Sequence, residues 1–216
     1  MARDGIAGSP ELLAYLHEWG ARTDDVLDRV RAETGEMANA AMQVSPDQGA
    51  LLTFLVRLIG AKNALEVGTF TGYSAICIAR GLGERGKLTC LELEDEYADI
   101  AQRNIEAAGV EDRVDIVRGP AGASLDAMPE EPMFDFVFLD ADKTGYPDYY
   151  EQILPRMKPN ALLLIDNILM GGDVVDPEPG TSNEIVARLN AKIAQDERVE
   201  AAFAMVADGV AFVRKR

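Results

Sequence analysis

The sequence is poor in positive charge and in histidine. It has 21 Lys and Arg against 37 Asp and Glu, which gives a net charge of −16. A chain this acidic is not expected to bind phosphate backbones or anionic membranes by general electrostatic attraction. Nucleic acid is therefore not an expected partner. The single histidine, His17, has no second histidine with which to share a metal. We therefore interpret it as a surface or packing residue.

Cysteine and long apolar runs are also scarce. The two cysteines, Cys77 and Cys90, lie inside apolar patterns, which favours buried free thiols over a disulfide or a metal-binding pair. No apolar run approaches the ~20 residues of a membrane-spanning helix. The N-terminal MARDGIAGSP lacks the basic-then-apolar layout of a signal peptide. These absences predict a cytoplasmic protein that does not enter a membrane.

What the sequence does contain is an alternation of strand and helix patterns. Its 216 residues, without an internal repeat, low-complexity tract or linker, predict a single domain. Strands are predicted at 64–67, 87–91, 114–117, 134–139, 161–165, 199–206 and 210–214. Helices are predicted between them at 71–81, 94–108, 123–128, 147–154 and 181–195. Such alternation indicates a parallel α/β sheet with right-handed crossovers, and Asp208-Gly209 between two alternating runs predicts a C-terminal antiparallel hairpin.

The N-terminal part of the chain is predicted to be helical. Residues 9–43 begin with a cap-like Ser-Pro-Glu, and a more polar second segment covers 23–42. Ser45-Pro46-Asp47-Gln48 has the pattern of a capping box with proline at the first helical position. The helix that follows, to about residue 59, is apolar on most sides, so we predict that it is buried against the sheet.

Two predicted strands are each followed at once by side chains whose oxygens can bind a hard metal ion. Strand 134–139 is apolar enough to be buried on both faces, and strand 161–165 is wholly apolar. They are followed at once by Asp140, Asp142 and Lys143 in the first case and by Asp166 and Asn167 in the second. Ligands collect at the carboxyl ends of parallel strands, and oxygen ligands suit Mg²⁺, Ca²⁺ or Mn²⁺. The pattern indicates a shared metal site, although each aspartate alone is more often a loop cap than a metal ligand.

The first strand runs into a glycine turn of the form E-x-G-x-x-x-G, from Glu66 through Gly68 to Gly72. The glycines allow a tight turn and a close approach to a ligand at a helix N-terminus. Glu66 would repel a pyrophosphate but attract an ammonium group, and Glu92 is placed to bind ribose hydroxyls. S-adenosylmethionine has both groups and no phosphate. The alternative is a turn made for packing, with Glu92 as a surface acid.

These residues resemble the cation-dependent O-methyltransferases, the group that contains caffeoyl-CoA and catechol O-methyltransferases and small bacterial relatives. The resemblance covers Ser45 to the C-terminus. It rests on S-P-D-Q-G at 45–49, A-L-E-V-G-T-F-T-G-Y-S at 64–74, R-G-P-A at 118–121, F-L-D-A-D-K at 138–143 and I-D-N at 165–167. It implies a Rossmann-like methyltransferase fold with a seven-stranded, mostly parallel sheet and helices on both faces. It also implies a homodimer, a core at 44–216 and an N-terminal helical segment at 1–43 that covers the acceptor site.

The resemblance also implies roles for single residues. The S-adenosylmethionine site would comprise Val44, Glu66, Gly68, Thr69, Gly72, Tyr73, Ser74, Glu92, Leu93, Ala121, Asp140 and Asp142. The cation would be held by Asp140, Asp166 and Asn167. Lys143 would lie beside the acceptor oxygen and, with Asp140, form the catalytic pair. The sequence departs from the plant pattern at Glu92, where Asp is usual, and at 168–172, where an aromatic residue and an Asn are missing. The second departure argues against a caffeoyl-CoA acceptor.

We therefore predict a methyltransferase that uses S-adenosylmethionine and a divalent cation, with Mg²⁺ as the first expectation. Its acceptor would be a phenolic small molecule, a catechol or another vicinal-diol aromatic, behind a gating loop at 170–182. One alternative is a transfer-RNA hydroxyuridine O-methyltransferase of the same family, which the acidity disfavours. A second is a non-catalytic S-adenosylmethionine-binding module, which would not need the cation set. A third is an NAD-dependent oxidoreductase, which Glu66 and the terminal hairpin disfavour.

Overall fold

The computed structural model describes residues 9–216, and within them seven strands form one sheet in the order β3-β2-β1-β4-β5-β7-β6. The strands are β1 Asn63–Val67, β2 Lys87–Glu92, β3 Val114–Arg118, β4 Phe134–Leu139, β5 Met157–Ile165, β6 Val199–Ala204 and β7 Val210–Lys215. β1 to β5 are parallel to one another, whereas β7 is antiparallel to both β5 and β6. This sheet confirms the predicted mostly parallel fold with a C-terminal hairpin.

Eight α-helices surround the sheet: α1 Pro10–Gly20, α2 Asp25–Gly35, α3 Pro46–Leu58, α4 Tyr73–Gly81, α5 Asp95–Ala107, α6 Ala121–Ala127, α7 Tyr146–Ile153 and α8 Ser182–Gln195, all within residues 9–216. β4 shows why the helices cover both faces of the sheet, because its side chains point alternately to one face and to the other. Phe136 and Phe138 pack into a core with α3, α4 and α5, and Val137 and Leu139 pack into a second core with α6, α7 and α8. The buried free thiols predicted for Cys77 and Cys90 are confirmed.

The strand order determines where a crevice opens in the sheet. From β1 the chain continues to β2 on one side, whereas β4 lies on the other side of β1. A crevice opens where the order reverses, above the carboxyl ends of the strands. Gly68 follows β1 with φ 91°, and a Cβ there would clash with the backbone carbonyl of Asp140 after β4. Only glycine lets the two loops approach this closely.

The N-terminal part is less helical than the sequence predicts. α1 ends at Gly20, and α2 starts after Asp24, whose carboxylate accepts a 3.0 Å hydrogen bond from the Leu27 amide. After α2 ends at Gly35, the chain forms turns, so the predicted helix over 36–42 is wrong apart from a short 3₁₀ turn at Ala40–Met42. Residues 1–8, part of the predicted N-terminal segment, lie outside the described residues. No helix in the described part of the chain is long and apolar enough to cross a membrane.

α3 corrects two predictions. The Ser45 side chain makes no cap hydrogen bond and its Oγ is buried without a partner, so the capping box is wrong, although Pro46 does start the helix. Only one face of α3 is buried: α4 makes most of the packing with the helix, and α1 makes a smaller contact with it. Phe54 is 61% exposed and Leu58 66% exposed, contrary to the prediction of a helix buried on most sides.

Element boundaries elsewhere differ by a few residues. β5 starts at Met157, four residues before the predicted start, and its pairing with β4 shifts register between Phe134 and Phe136. The hairpin turn spans 205–209 rather than the predicted 207–209, with Ala207 and Gly209 at positive φ. Hydrophobic patterns predict where a helix or strand lies better than where it ends, because a strand can gain or lose a terminal residue with little change in free energy.

Candidate active site

A cavity of about 1020 Å³ lies at the carboxyl ends of the strands. It is lined by loops that follow β1, β2, β3, β4 and β5, by the β6–β7 turn and by the segment before α3. Of the predicted site residues, those on its wall are Val44, Gly68, Thr69, Tyr73, Ser74, Glu92, Leu93, Ala121, Asp140, Asp142, Lys143, Asp166 and Asn167. The two others, Glu66 and Gly72, are not on the wall. The fold therefore brings almost all of the predicted site residues around one cavity.

Glu92 holds the glycine turn in place. Its Oε2 accepts hydrogen bonds from the backbone amides of Thr69 at 3.0 Å and Phe70 at 2.7 Å, and its Oε1 accepts one from the Glu94 amide at 3.0 Å. Glu92 is 6% exposed, so the predicted surface-acid alternative is wrong. A carboxylate has about four acceptor positions, so this one can bind the loop and a ligand hydroxyl together. Its ribose-binding role stays a prediction.

Glu66 lies beneath the cavity, with no exposed surface. The thiol of Cys90 donates to Glu66 Oε2 at 3.4 Å, whereas Oε1 is buried with no partner. Burial raises the pKa of Glu66 to about 8, against the opposing effect of the nearby Ser74 hydroxyl. The side chain is thus largely protonated near neutral pH. Gly72, with φ 89°, allows the start of α4 to approach Ala101, so its visible role is packing.

The charged end of the cavity follows from strand register. Leu139 of β4 pairs with Ile165 of β5, so Asp140 and Asp166 leave the sheet side by side. Asp166 is 4% exposed; burial raises its pKa to about 7, and the charge of Asp140 adds to the rise. Asn167 stands next to it in left-handed conformation at φ 55°, which asparagine tolerates, and its backbone amide donates to Asp166 Oδ1 at 2.7 Å.

Lys143 completes this group. Its Nζ is 2.8 Å from Asp140 Oδ1 and donates a 2.7 Å hydrogen bond to the Tyr146 hydroxyl, one helical turn further on. It also lies 4.7 Å from the centroid of the Tyr146 ring. No group of three or more His, Cys, Asp or Glu side chains in residues 9–216 is arranged to hold a metal. The predicted cation set consists of two aspartates and an asparagine.

Comparisons with known proteins agree with this geometry. A family model for O-methyltransferases matches residues 17–216. The chain belongs to the O-methyltransferase family. A caffeoyl-CoA O-methyltransferase of Petroselinum crispum is 34% identical over 220 residues, which covers 96% of this chain and 91% of the relative.

Two solved O-methyltransferases have the same fold. One, from Bacillus cereus and in complex with SAH, is 34% identical with a TM-score of 0.86, covering 95% of this chain and 97% of that one. The other is TomG of Streptomyces achromogenes, involved in tomaymycin synthesis and in complex with SAM. It is 30% identical with a TM-score of 0.86, covering 95% of this chain and 96% of that one. The predicted fold and enzyme class are confirmed.

Sequence reasoning missed several residues of this methyltransferase site. Gln48, read as part of a capping box, is 3% exposed and lines the cavity with its Nε2 unpartnered. It lies close enough to Asp166 to oppose the rise in that pKa, but outside hydrogen-bonding geometry. Tyr149 donates to Asp142 Oδ1 at 2.7 Å, and the Gly145 amide donates to Asp142 Oδ2 at 2.9 Å. Local patterns give no signal for either residue, because Asp142 lies before the start of α7 and Gln48 reaches the cavity only through tertiary packing.

The N-terminal helices of the methyltransferase are tied to the cofactor side. The Thr34 hydroxyl of α2 donates to the Thr71 hydroxyl at 2.9 Å, and both side chains are buried. Asn39 donates to the Tyr97 hydroxyl at 2.7 Å, and the Tyr97 ring packs edge-on against Phe70. Residues 41–45 then form part of the cavity wall. The segment before the core is therefore positioned by the glycine turn and its neighbours.

Proposed function

We propose that this protein transfers a methyl group from S-adenosylmethionine to a hydroxyl of a catechol-type or other vicinal-diol aromatic small molecule, with help from a divalent cation. The observation that carries the proposal is the junction of three groups in one cavity. The glycine turn after β1 adjoins Asp140, and Asp140 adjoins Lys143 and Asp166. A methyl donor and an acceptor held across this junction would meet at the charged group.

The residues present fit S-adenosylmethionine. Gly68 lets the turn lie against the backbone of Asp140, and Thr69, on the cavity wall, has its Oγ1 buried without a hydrogen-bond partner. The wall around the turn has Glu92 and Glu94 but no basic side chain in its described residues, which suits a ligand without phosphates. The solved relatives from Bacillus cereus and Streptomyces achromogenes bind SAH and SAM, respectively.

The residues also fit a hard divalent cation. Asp140 and Asp166 lie side by side, and the charge of Asp140 adds to the rise that burial causes in the pKa of Asp166. Asn167 adds a neutral amide oxygen. Two carboxylates and an amide are oxygen donors of the kind that Mg²⁺ and Mn²⁺ take in proteins. When bound, S-adenosylmethionine supplies a methyl on a positively charged sulfur, and the cation lowers the pKa of a coordinated phenol, which is about 10 when free.

Lys143 then has two tasks open to it. Its Nζ is held between Asp140 and the Tyr146 hydroxyl, so its position is fixed before an acceptor enters. In its neutral form the Nζ would take the proton of the acceptor hydroxyl. In its charged form it would hold the phenolate left after that proton has passed to water. Tyr146 is fully buried, and its hydroxyl lies 3.2 Å from the Asp166 backbone oxygen, which ties Lys143 to the cation residues. The rest of the acceleration comes from alignment in a site closed to water.

The test is a direct assay. Purified protein is incubated with S-adenosylmethionine and a panel of catechols, with Mg²⁺ or with EDTA, and S-adenosylhomocysteine is measured. Product that needs both a catechol and the cation supports the proposal. Cofactor binding without turnover of any catechol would overturn it and favour a transfer-RNA acceptor or a binding module. Absence of cofactor binding would overturn the assignment of the glycine turn.

A further inference from the structure

The acceptor side of the cavity has almost no positive charge. Among residues 9–216, Lys143 is the one basic side chain on the cavity wall, against Glu92, Glu94, Asp140, Asp142, Asp166 and Asp208. Sequence explains this, because no Lys or Arg occurs at 32–56, 159–187 or 199–213. These stretches include the segment before α3, the β5–α8 connection and the hairpin turn, which border the space beyond the charged group. Lys143 itself is paired with Asp140.

The sheet order tells which end of the cavity receives the acceptor. The glycine turn follows β1, the charged group follows β4 and β5, and β7 lies beyond β5. An acceptor that reaches Lys143 from the side opposite the cofactor must therefore lie near Met170, Ala207 and Asp208, which line that part of the wall.

Asp208 is held firmly at this end. Its Oδ1 accepts a 2.8 Å hydrogen bond from the Gly171 amide, and its backbone oxygen accepts one of 3.0 Å from Leu169. These residues directly follow the Asp166-Asn167 pair, so the Asp208 charge is fixed relative to the reacting group. Asp208 is half-buried, where a charge acts through a medium less polar than bulk water.

We propose that the acceptor site selects vicinal-diol aromatic compounds whose tail is positively charged or neutral and rejects those with an anionic tail, with Asp208 as the residue that sets this preference. The proposal rests on the function proposed above and specifies its substrate class. It separates this protein from relatives named for caffeoyl-CoA. Coenzyme A carries several phosphate charges, and phosphates are bound by Arg, Lys or free backbone amides. The acceptor wall in the described chain offers them one lysine that is already paired.

The experiment compares four acceptors that differ in tail charge: dopamine, 4-methylcatechol, 3,4-dihydroxyphenylacetate and caffeoyl-CoA. The full chain is assayed with S-adenosylmethionine and Mg²⁺, and kcat/KM is measured at low and high salt. We expect dopamine and 4-methylcatechol to be preferred over 3,4-dihydroxyphenylacetate by roughly tenfold at low salt, with less preference at high salt, and caffeoyl-CoA to be the poorest. The preference should lie mainly in KM.

Asp208→Asn keeps an acceptor for the Gly171 amide and removes the charge. It should lower kcat/KM for dopamine and raise it for 3,4-dihydroxyphenylacetate, each by roughly fivefold, whereas 4-methylcatechol should change little. Asp115→Asn, an exposed aspartate of β3 that does not line the cavity, is the matched control and should change none of the ratios. A merely structural role for Asp208 would shift all acceptors alike, and that result would overturn the proposal.

Binding separates this inference from the proposed function. The affinities of the same compounds are measured by calorimetry on protein loaded with S-adenosylhomocysteine and Mg²⁺. If no compound is methylated, the proposed function fails, and the affinity order still decides the inference. Tighter binding of dopamine than of 3,4-dihydroxyphenylacetate supports it. Equal or tighter binding of the anionic compounds overturns it, whether or not turnover occurs.

Discussion

At the scale of single residues, Asp166 tests the cation assignment. It is nearly fully buried and lies beside Asp140. Within the described residues, its side chain makes no hydrogen bond to the glycine turn. Asp166→Ala should therefore lower cation-dependent turnover by roughly 100-fold or more, while the affinity for S-adenosylmethionine changes little. Turnover and cofactor titration are measured on the same preparation. Asp115→Ala, at an exposed position of β3 away from the cavity wall, serves as the control, and unchanged turnover in Asp166→Ala would disprove the assignment.

Glu66 provides a prediction about stability and pH. Its pKa is raised to about 8 in the folded protein from an ordinary value of 4.5, because it is buried. Between these values the folded state holds a proton that the unfolded state has released, so stability falls as pH rises from about 4.5 to 8. Stability from this group is fully present below pH 4.5 and is lost above pH 8.

Glu66→Gln removes this titration and keeps the shape. The ligand-free variant should lose less stability than the natural protein between pH 5 and 8, with a difference on the order of a few kcal/mol at the upper end. Urea unfolding at several pH values measures it. Glu131→Gln, an exposed loop residue, is the control and should follow the natural protein. Parallel pH profiles for Glu66→Gln and the natural protein would show that Glu66 titrates normally.

At the scale of elements, the buried hydrogen bond from Thr34 to Thr71 joins α2 to the glycine turn. Thr34→Val removes the donor and leaves the Thr71 oxygen without its partner, which should cost about 1 kcal/mol and lower Tm by about 2–4 °C. The turn would also be held less firmly, so we expect S-adenosylmethionine to bind a few-fold more weakly. Thermal unfolding and cofactor titration are the measurements, with Thr23→Val on the exposed α1–α2 connection as control. A cofactor affinity equal to that of the natural protein would mean that α2 does not position the turn.

Sequence patterns predicted the strands and the strand-end residues because both depend on local chemistry. A strand such as 134–139 must be apolar on both faces, and a polar residue directly after it must lie at the sheet edge. The depth of Glu66 and the unpartnered amide of Gln48 depend on which helices cover them, which local patterns do not record. The same reason explains α3, whose apolar residues predicted burial on most sides although only one face is buried.

At the scale of the whole molecule, apolar side chains remain exposed on α1 and α3. These two helices pack together, with His17 Nε2 3.0 Å from Asp47 Oδ1. Their outer sides expose Leu13, Leu16, Trp19, Phe54, Leu58 and Ile59. None of these six residues lines the cavity, so the acceptor does not account for them. We propose that a second copy of the chain covers this surface in the expected homodimer.

Phe54→Glu tests the dimer because it places a charge where the apolar surface would be buried. The natural protein should run at twice the chain mass in size-exclusion chromatography with light scattering, and the variant at the chain mass. Val175→Glu puts the same charge at a residue that is 88% exposed on the β5–α8 connection and should stay dimeric. A monomeric natural protein would refute the proposal.

Trp19 gives the exposed α1 surface an optical signature. It is the one tryptophan of the chain, 69% exposed, with the Tyr15 ring 6.3 Å away. Tryptophan fluorescence will therefore report the surroundings of α1. A shift of the emission to shorter wavelength, whether on raising protein concentration or on adding a ligand, would show directly that water has left this helix.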